Sequence, residues 1–514
     1  MKNLSRVRFY FQGLAASYIA LAAAIVYSLL SIPLALHFLT KEQFGLWALL
    51  TQSVTYLALL DLGMTPALGR ILIERKEDPQ RGSYGGLIQT GFWVNITQSG
   101  LVLLAGLVLA KPLVDLFSIP SEFQSTFLCL VRWQAFITAT MVGMGLFPAL
   151  LYAHQRTDLI KYSQAASLVV GLGTLWLALY CQSSVASILW ANAAAMACVV
   201  GVQGLCCLRL KLFPQPSEWG RPSWLEFKGL FSYGKDVFVT QIGSVLLMAA
   251  QPIVVSRSLG LEAVALWAIG TKAFFLLCSL MWQAFDISTP AFSEMLVRGE
   301  MNRLRKRYTD LLIVTIALAG VGAVFYAACN SAFVMLWTQG RFSWPAQCGV
   351  LLGFWMIISA LIHSSAGFII LTKQIGAMRY IFLIEGVVFF GIASLVTHAG
   401  GLVAMIMVSL LCSLSFSGGY CLWRINLFFG FRPLELALSW LRPLGNIFAV
   451  LVPVSLGGWW LTSMRPSLGW LVLSAGIICT LGGYLFLRLG VPRELRIEMI
   501  QLLPPALRSV LVRN

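Results

Sequence analysis

Residues 11–39 read FQGLAASYIALAAAIVYSLLSIPLALHFL, an apolar stretch without a single Asp, Glu, Lys or Arg. An α-helix of about 20 apolar residues crosses the hydrocarbon layer of a bilayer, so this stretch is long enough to span it. It does not alternate in polarity, as the strands of an outer-membrane barrel do. It is longer than the apolar part of a secretory signal and has no obvious small-residue cleavage site. We therefore interpret it as a retained first membrane helix.

Comparable apolar stretches recur along the whole chain. Of its 514 residues, 59% are hydrophobic and only 11% are charged, which is too little charge for the surface of a water-soluble protein. Because backbone polar groups in lipid must be satisfied within each helix, the sequence predicts an all-α polytopic membrane protein with about 14 transmembrane helices. The predicted spans are residues 12–38, 44–70, 84–110, 123–152, 161–181, 184–208, 235–256, 263–292, 309–337, 344–371, 376–397, 400–423, 440–462 and 467–487.

The positions of the basic residues test this division into spans. With the amino terminus placed inside, 29 of the 36 Lys and Arg residues fall on the inner side and five on the outer side. The outer five are Lys41, Lys111, Arg257, Arg341 and Arg465. The remaining two, Arg132 and Lys272, lie within spans. This positive-inside pattern predicts a bacterial inner (plasma) membrane protein with both termini in the cytoplasm, and it explains the net charge of +16 without nucleic-acid binding.

Two segments resemble each other at a constant offset of 220 residues. Residues 39–48 read LTKEQFGLWA and residues 259–268 read LGLEAVALWA, so five of ten positions are identical. Each segment lies at the outer start of a span, the second and the eighth. Because six spans separate the copies, the repeats are parallel and predict two pseudo-equivalent six-helix bundles around a central cavity. The alternative is chance similarity between two segments rich in Leu and Ala.

The repeat and a long cytoplasmic loop together predict the domain organisation. The loop contains three prolines, then aromatic residues beside basic ones, which is typical of a linker with a short helix on the membrane surface. Two further spans follow the second bundle. The predicted domains are an amino-terminal bundle at 1–212, the linker at 213–234, a second bundle at 235–424, two extra transmembrane helices at 425–490 and a cytoplasmic tail at 491–514.

Polar side chains inside the spans mark candidate functional positions, because they are costly in lipid. In the eighth span, Lys272, Ser279, Gln283 and Asp286 fall on one stripe of an otherwise apolar helix, with Lys272 near the midplane. A polar stripe of this kind cannot face lipid. It faces protein or a water-filled cavity.

Further polar groups lie in the third and fourth spans. Arg132 is as deep as the lysine of the eighth span and shares a helix face with Ala139 and Gly143. Small residues of this kind allow another helix to approach closely or leave a cavity open. Asn95 and Gln98 form a polar patch on the third span.

Three carboxylates complete the ionisable groups within the spans. Asp61 lies nine residues before Arg70 and is therefore deep, whereas Asp286 and Glu385 lie nearer the cytoplasmic side. All three are candidates for taking up a proton or a sodium ion. The alternative for each buried charge is that it pairs with another and only locks the bundle. For His363, in the tenth span, a hydrogen-bonded packing role is the favoured interpretation.

The second span resembles that of a known family. After Phe44-Gly-Leu-Trp-Ala, residues 59–70 read LLDLGMTPALGR, and this Asp-Leu-Gly turn followed by an Arg resembles the second span of polysaccharide flippases. These form the O-antigen and exopolysaccharide branch of the multidrug/oligosaccharidyl-lipid/polysaccharide exporter superfamily. The resemblance extends over residues 10–160 and 233–310. It implies two six-helix bundles flanking a cavity that opens alternately to each side of the membrane.

The resemblance also implies a cargo. This family moves polyprenyl-diphosphate-linked oligosaccharide repeat units, as used for lipopolysaccharide O-antigen and exopolysaccharide, from the cytoplasmic to the periplasmic leaflet. Lys272 and Arg132 would then bind the diphosphate. The expected sugar-binding residues are Ser279, Gln283, Asn95 and Gln98. No cofactor or metal site is expected beyond proton or sodium coupling. The expected partners are the lipid-linked glycan and membrane lipids, with a polysaccharide polymerase and glycosyltransferases as further candidates.

Other functions remain open at this point. Lipid II flippases also have two extra carboxyl-terminal helices, but their cavity is rich in Arg near the first span, which here has no internal charge. A multidrug or cation antiporter of the same superfamily usually has fewer spans and a carboxylate-rich cavity. A membrane enzyme acting on lipid-linked sugars is least favoured, because no long outer loop, catalytic triad, metal-type cysteine spacing or phosphate-binding loop is present. We therefore expect a transporter and no enzyme activity.

Overall fold

The computed structural model describes residues 2–496 apart from 76–82, 155, 216–217, 233–237, 239–241, 243–244, 246–249, 287, 290–291, 293–294, 297, 373–375 and 465–466. The chain forms two compact units, Met1–Ala268 and Ile269–Asn514. The regular elements of the described residues are all helical. Among these residues, 12 helical stretches are long and apolar enough to cross a membrane. The chain is therefore a multi-pass helical membrane protein, as predicted.

The first unit is built from packed helices. They are α1 (Lys2–Phe38), α2 (Lys41–Ala58), α3 (Met64–Arg75), α4 (Ser83–Leu116), α5 (Ser121–Gly143), α6 (Leu146–Ala153), α7 (Thr157–Gln182), α8 (Ser187–Arg209) and α9 (Gln251–Leu259). Helix α4 packs along α5, α7 packs along α8, and α1 packs on α7. Small residues permit these contacts: a Cβ on Gly106 of α4 would lie 2.1 Å from the Cβ of Ala135 in α5.

The second unit is built around the helix Met301–Trp337, which packs against several others. Its helices, after α10 (Leu261–Gly270), which crosses the division between the units, are α11 (Lys272–Asp286), α12 (Met301–Trp337), α13 (Ala346–Leu371), α14 (Met378–Ser413), α15 (Gly419–Phe429), α16 (Pro433–Met464) and α17 (Leu468–Leu485). Helix α12 packs against α13 and α16. A buried cluster that includes Val324 of α12, Leu451 of α16 and Ile478 of α17 joins the two extra helices to this unit.

The predicted eleventh and twelfth spans form one helical stretch, Met378–Phe429, which folds back on itself at Gly401. Gly401 has a φ of +61°, a conformation that favours glycine. Glu385 and Ser417 lie equally far on either side of it and are hydrogen-bonded to each other at 3.1 Å, so the two arms are antiparallel spans. The predicted seventh span, 235–256, lies largely outside the described residues, so the count of 14 stays a prediction.

Three of the spans contain an interruption that the apolar pattern does not indicate. The interruptions lie at Leu62–Gly63, between α2 and α3, at Met144–Gly145, between α5 and α6, and at Thr271, between α10 and α11. A short 3-10 turn, Leu59–Asp61, precedes the first of them, where the φ angles of Leu62 and Gly63 are +51° and +70°. Interrupted helices inside a membrane are tolerated where side chains or a cavity satisfy the freed backbone groups.

The linker after α8 packs on the first unit. Residues 224–232 are helical, which agrees with the short helix predicted there. The linker backbone approaches α4 so closely that a Cβ on Gly85 would lie 2.4 Å from the Glu218 carbonyl oxygen. The Ser223 N–H donates to Thr90 Oγ1 at 3.0 Å, and Arg75 pairs with Glu226 at 3.6 Å. These contacts hold the linker against the ends of α3 and α4.

Candidate functional site

The interruption of the eighth span places a lysine at the start of a helix. Lys272 is the first residue of α11, and Thr271 separates it from α10, which ends at Gly270. The lysine side chain is exposed, and no carboxylate pairs with it within the part of the chain that the structure describes. An exposed cation inside a membrane span borders polar groups or water rather than lipid. The position is therefore suited to an anionic ligand.

The backbone at this interruption is held in place from α12. Tyr326 donates its hydroxyl to the Gly270 carbonyl oxygen at 2.8 Å, and Asn330 donates Nδ2 to the same oxygen at 3.0 Å. Trp344 packs against the glycine so tightly that a Cβ there would lie 1.9 Å from the indole ring. Because the carbonyl freed by the break has two donors, the interruption is a stable part of the fold.

The polar stripe of α11 ends in a paired carboxylate. Ser279 donates its hydroxyl to a carbonyl of its own helix at 2.7 Å, and Gln283 is half-buried. Asp286 Oδ1 lies 2.9 Å from His363 Nε2, and the imidazole stacks on Trp282 with 4.7 Å between ring centroids. The hydrogen-bonded packing role predicted for His363 matches these contacts. The stripe thus runs from an unpaired cation to a carboxylate–imidazole pair.

Arg132 is exposed on α5, beside a tightly packed face. The Ser99 hydroxyl of α4 donates to the Ala139 carbonyl oxygen at 2.7 Å, and a Cβ on Gly143 would lie 3.2 Å from the same hydroxyl. Of the two possibilities for this small-residue face, close helix packing is therefore the one observed. No carboxylate pairs with Arg132 among the residues described.

Asp61, Asn95 and Gln98 come together where the second and fourth spans are interrupted. Thr65 donates Oγ1 to Asp61 Oδ1 at 2.7 Å, and Gln98 donates Nε2 to the Asp61 carbonyl oxygen. A Cβ on Gly145 would lie 3.0 Å from Thr65 Oγ1 and 3.2 Å from Asn95 Nδ2, so the two side chains meet at this glycine. The sequence analysis missed Thr65 and Gly145. The spacing of Thr65, one helical turn after Asp61, was the available signal.

Glu385 is fully buried between the two arms that meet at Gly401. Its Oε2 accepts a hydrogen bond from the Ser417 backbone N–H at 3.1 Å. Ser417 belongs to a π-helical segment, Leu414–Gly418, between α14 and α15. Such π-helical segments are rare in proteins overall, but those that occur are often found at functional positions. The hydrogen-bond donor of Glu385 therefore comes from the other arm of its own helical stretch, beside a π-helical segment.

The two repeat segments contact each other in the first unit. Lys41 Nζ forms an ion pair with Glu262 Oε1, and both side chains are partly exposed. A Cβ on Gly45 would lie 2.1 Å from the Leu261 carbonyl oxygen, so this approach requires glycine. The segments that resemble each other in sequence therefore also share one contact, at the start of α2 and of α10.

The sequence matches the polysaccharide biosynthesis protein family over residues 34–341, which is more than half of the chain. The chain belongs to this family. The match includes both repeat segments, Asp61 and the interrupted eighth span, and it confirms the resemblance noted at residues 59–70. No curated protein matches the chain closely enough to count as a relative.

Three solved structures are similar to this chain. An inward-facing multidrug resistance MATE family transporter of the MOP superfamily has a TM-score of 0.64 at 11% identity and covers 80% of this chain and 98% of its own. The lipid II flippase MurJ, in an inward closed conformation, has a TM-score of 0.63 at 13% identity and covers 94% and 98%. A mutant of the Vibrio cholerae MATE transporter VcmN has a TM-score of 0.58 at 13% identity and covers 82% of this chain and 97% of its own. The chain thus has the fold of MOP-superfamily transporters and flippases.

Proposed function

We propose that this protein is a flippase that moves polyprenyl-diphosphate-linked oligosaccharide repeat units from the cytoplasmic to the periplasmic leaflet by alternating access. The observation that carries the proposal is Lys272, an exposed cation without a partner among the described residues, at a stable interruption of a membrane span. Membership of the polysaccharide biosynthesis family supports it. So does the similarity to a lipid II flippase over 94% of the chain.

The chemistry of the cargo explains the arrangement. A lipid-linked diphosphate sugar has a polar head that cannot enter hydrocarbon and a tail that stays in lipid. A polar surface inside the membrane gives the head a path across. Lys272 would bind the diphosphate, because cations form strong charge-assisted hydrogen bonds with phosphate oxygens, and Arg132 offers the same chemistry in the first unit. Ser279 and Gln283, on the same stripe as Lys272, would bind sugar hydroxyls.

Asn95 and Gln98 are less suited to sugar in this conformation. Only 1% and 3% of their surfaces are exposed, so contact with a glycan would require the interrupted spans around them to separate. Their proposed role as sugar ligands is therefore restricted to another conformation of the transport cycle.

Energy coupling, if it uses an ion, has three candidate carboxylates. Asp286 is paired with His363, Glu385 is buried against a π-helical segment, and Asp61 lies among buried amides. Each could change its charge or its ligand as the protein changes conformation. We propose proton or sodium coupling through one of these groups.

The proposal is tested by measuring flipping of a labelled polyprenyl-diphosphate glycan in proteoliposomes. Lys272→Ala should slow flipping about tenfold to a hundredfold, because a hydrogen bond to a charged group contributes about 1.5–3 kcal/mol. Lys272→Arg should keep most of the activity. Lys111→Ala, which removes an exposed basic residue near the end of α4, is the matched control. Flipping at the normal rate in Lys272→Ala would remove this residue from the mechanism.

The similarity to multidrug transporters favours one competing function, export of cationic drugs. An unpaired lysine and an exposed arginine inside the spans repel cations, which favours the anionic cargo. A deletion strain should therefore lose surface polysaccharide and keep its drug resistance. Increased drug sensitivity with unchanged polysaccharide would support the exporter instead.

We also propose that the protein resides in a bacterial inner membrane with both termini in the cytoplasm. The excess of basic residues on one side of the predicted spans supports this orientation. Reporter fusions at the carboxyl terminus and in the turn at residues 117–120, between α4 and α5, should report opposite sides of the membrane. A polymerase and glycosyltransferases acting on the same glycan are the proposed partners.

A further inference from the structure

The Asp61 cluster consists of Asp61, Thr65, Asn95 and Gln98 and lies between the two interrupted spans of the first unit. Thr65 contacts both carboxylate oxygens of Asp61, through Oγ1 at 2.7 Å and through its backbone N–H at 3.4 Å. Gln98 donates to the backbone carbonyl of Asp61, so the turn that ends the first half of the second span also takes part. Thr65 thus binds the carboxylate of Asp61, Gln98 binds its backbone carbonyl, and Asn95 meets Thr65 at Gly145.

Two atoms of the cluster are buried without a hydrogen-bond partner among the described residues, Asn95 Nδ2 and Gln98 Oε1. The two residues are 1% and 3% exposed. Nearly all buried polar atoms in native proteins are paired, so two unpaired amide atoms in one cluster point to a ligand. By contrast, the equally buried Gln203 of α8 donates to Ser163 Oγ at 2.8 Å.

The charge of Asp61 is also uncompensated within the described part of the chain. The carboxylate accepts hydrogen bonds only from neutral donors there. Asp158 of α7 shows the usual arrangement, because its two oxygens bind Arg156 at 3.0 and 3.1 Å. The Asp61 cluster therefore combines one negative charge with neutral hydroxyl and amide groups.

We propose that the Asp61 cluster binds a monovalent metal cation, with Na⁺ as the best match. Hard cations take oxygen ligands, and Asp61, Thr65 and Gln98 offer carboxylate, hydroxyl and amide oxygens. Rotation of the Asn95 amide by half a turn replaces Nδ2 by Oδ1 and adds a fourth oxygen. A single carboxylate balances one positive charge, whereas protein sites for Ca²⁺ usually contain several carboxylates.

The interruptions explain why such an ion would matter to the fold. Broken helices leave backbone carbonyls without their intrahelical donors, and in transporters such carbonyls coordinate small cations. An ion at Asp61 would join the interrupted second span to α4 and to the break at Gly145. Binding of the ion does not depend on the identity of the cargo, so it is tested without transport.

The test uses the purified full-length protein in detergent, with NaCl, KCl or N-methylglucamine chloride at equal ionic strength. Na⁺ should raise Tm in a saturable manner, because a ligand that binds only the folded state stabilises it by mass action. Binding of ²²Na⁺ should show the same saturation. Asp61→Asn should abolish both effects, and Gln98→Leu and Thr65→Val should each weaken Na⁺ binding about tenfold or more.

Asp158→Asn and Gln203→Leu are matched controls, because they make the same chemical changes at buried sites of the same unit. Both should retain the Na⁺ affinity of the unmodified protein, even where Tm falls. If Asp61→Asn does not fold, the Thr65 and Gln98 variants decide the question. Unchanged Na⁺ affinity in those two variants overturns the proposal. So does a Tm that responds to pH through Asp61 and not to Na⁺, which would assign protonation alone.

Discussion

The interruptions of the second and eighth spans use charge in opposite ways. At the second, the charged group is the half-buried carboxylate of Asp61, and buried amide atoms beside it lack partners among the described residues. At the eighth, two side chains of α12 satisfy the carbonyl of Gly270, and the charged group, Lys272, is exposed. At the second span, therefore, buried polar atoms remain unpaired. At the eighth span, the freed backbone carbonyl is hydrogen-bonded and the charged side chain is exposed.

The difference indicates which kind of ligand each interruption suits. Buried, unpaired polar atoms in a cluster with one carboxylate suit a small ion that the protein can surround. An exposed lysine on a polar stripe can meet a large anionic head without any change in the backbone behind it. Under the two proposals, the same feature, a broken helix in a membrane, would bind a small cation in one unit and a large anionic head in the other.

The largest effect is expected from reversing the charge at the eighth span. Lys272→Glu should reduce flipping of the labelled glycan by about a hundredfold or more, because it replaces attraction to the diphosphate by repulsion. Na⁺ binding should be unchanged, since the Asp61 cluster lies in the other unit. If the charge-reversed protein still flips its cargo, or if it loses Na⁺ binding, the two interruptions do not have the separate ligands proposed for them.

A smaller effect, on stability, is expected from Gly270→Ala. The added Cβ would lie 1.9 Å from the buried Trp344 ring, and overpacking of this kind costs about 1–3 kcal/mol. The free energy of unfolding in detergent should fall by about that amount. Gly476→Ala in α17, where no atom lies within 4 Å of the new Cβ, should be close to neutral. Equal stability of the two variants would mean that the indole is free to move.

The smallest effect is expected from Gly145→Ala, the matching change at the interruption between α5 and α6. Its Cβ would lie 3.0 Å from Thr65 Oγ1 and 3.2 Å from Asn95 Nδ2, and both side chains can shift by a few tenths of an ångström. Stability should fall by about 1 kcal/mol or less. Na⁺ affinity should fall with it, whereas Gly173→Ala in α7 should change neither. A loss of stability as large as for Gly270→Ala would indicate that the Asp61 cluster is rigid.

The sequence was sufficient for the fold class and for locating the charged residues within the spans. Lys272, Arg132 and Asp61 were identifiable because a charge inside a long apolar stretch is costly wherever the helix faces. The two antiparallel arms around Gly401 were likewise predicted as separate spans, because a single helix of that length far exceeds the thickness of a membrane.

The contacts between helices were beyond the reach of the sequence. Helical periodicity gives the angle of a side chain around its own axis, but not the helix that it meets. Gln98 was therefore recognised as polar, but its contact with Asp61 was not predicted. Arg132 was placed beside small residues, but the packing of those residues against α4 was not predicted. The π-helical segment at Ser417 was also missed, because its residues are ordinary for a membrane helix.

The linker contact at Gly85 has a consequence for how the protein is made. Synthesis proceeds from the amino terminus, so the ends of α3 and α4 leave the ribosome long before residues 218–226, which cover them in the finished protein. A fragment that stops after α8 would leave these helix ends uncovered. The first unit therefore completes its contacts only after translation has passed the linker, and a split of the gene for coexpression should fall beyond Ala268, where this unit ends.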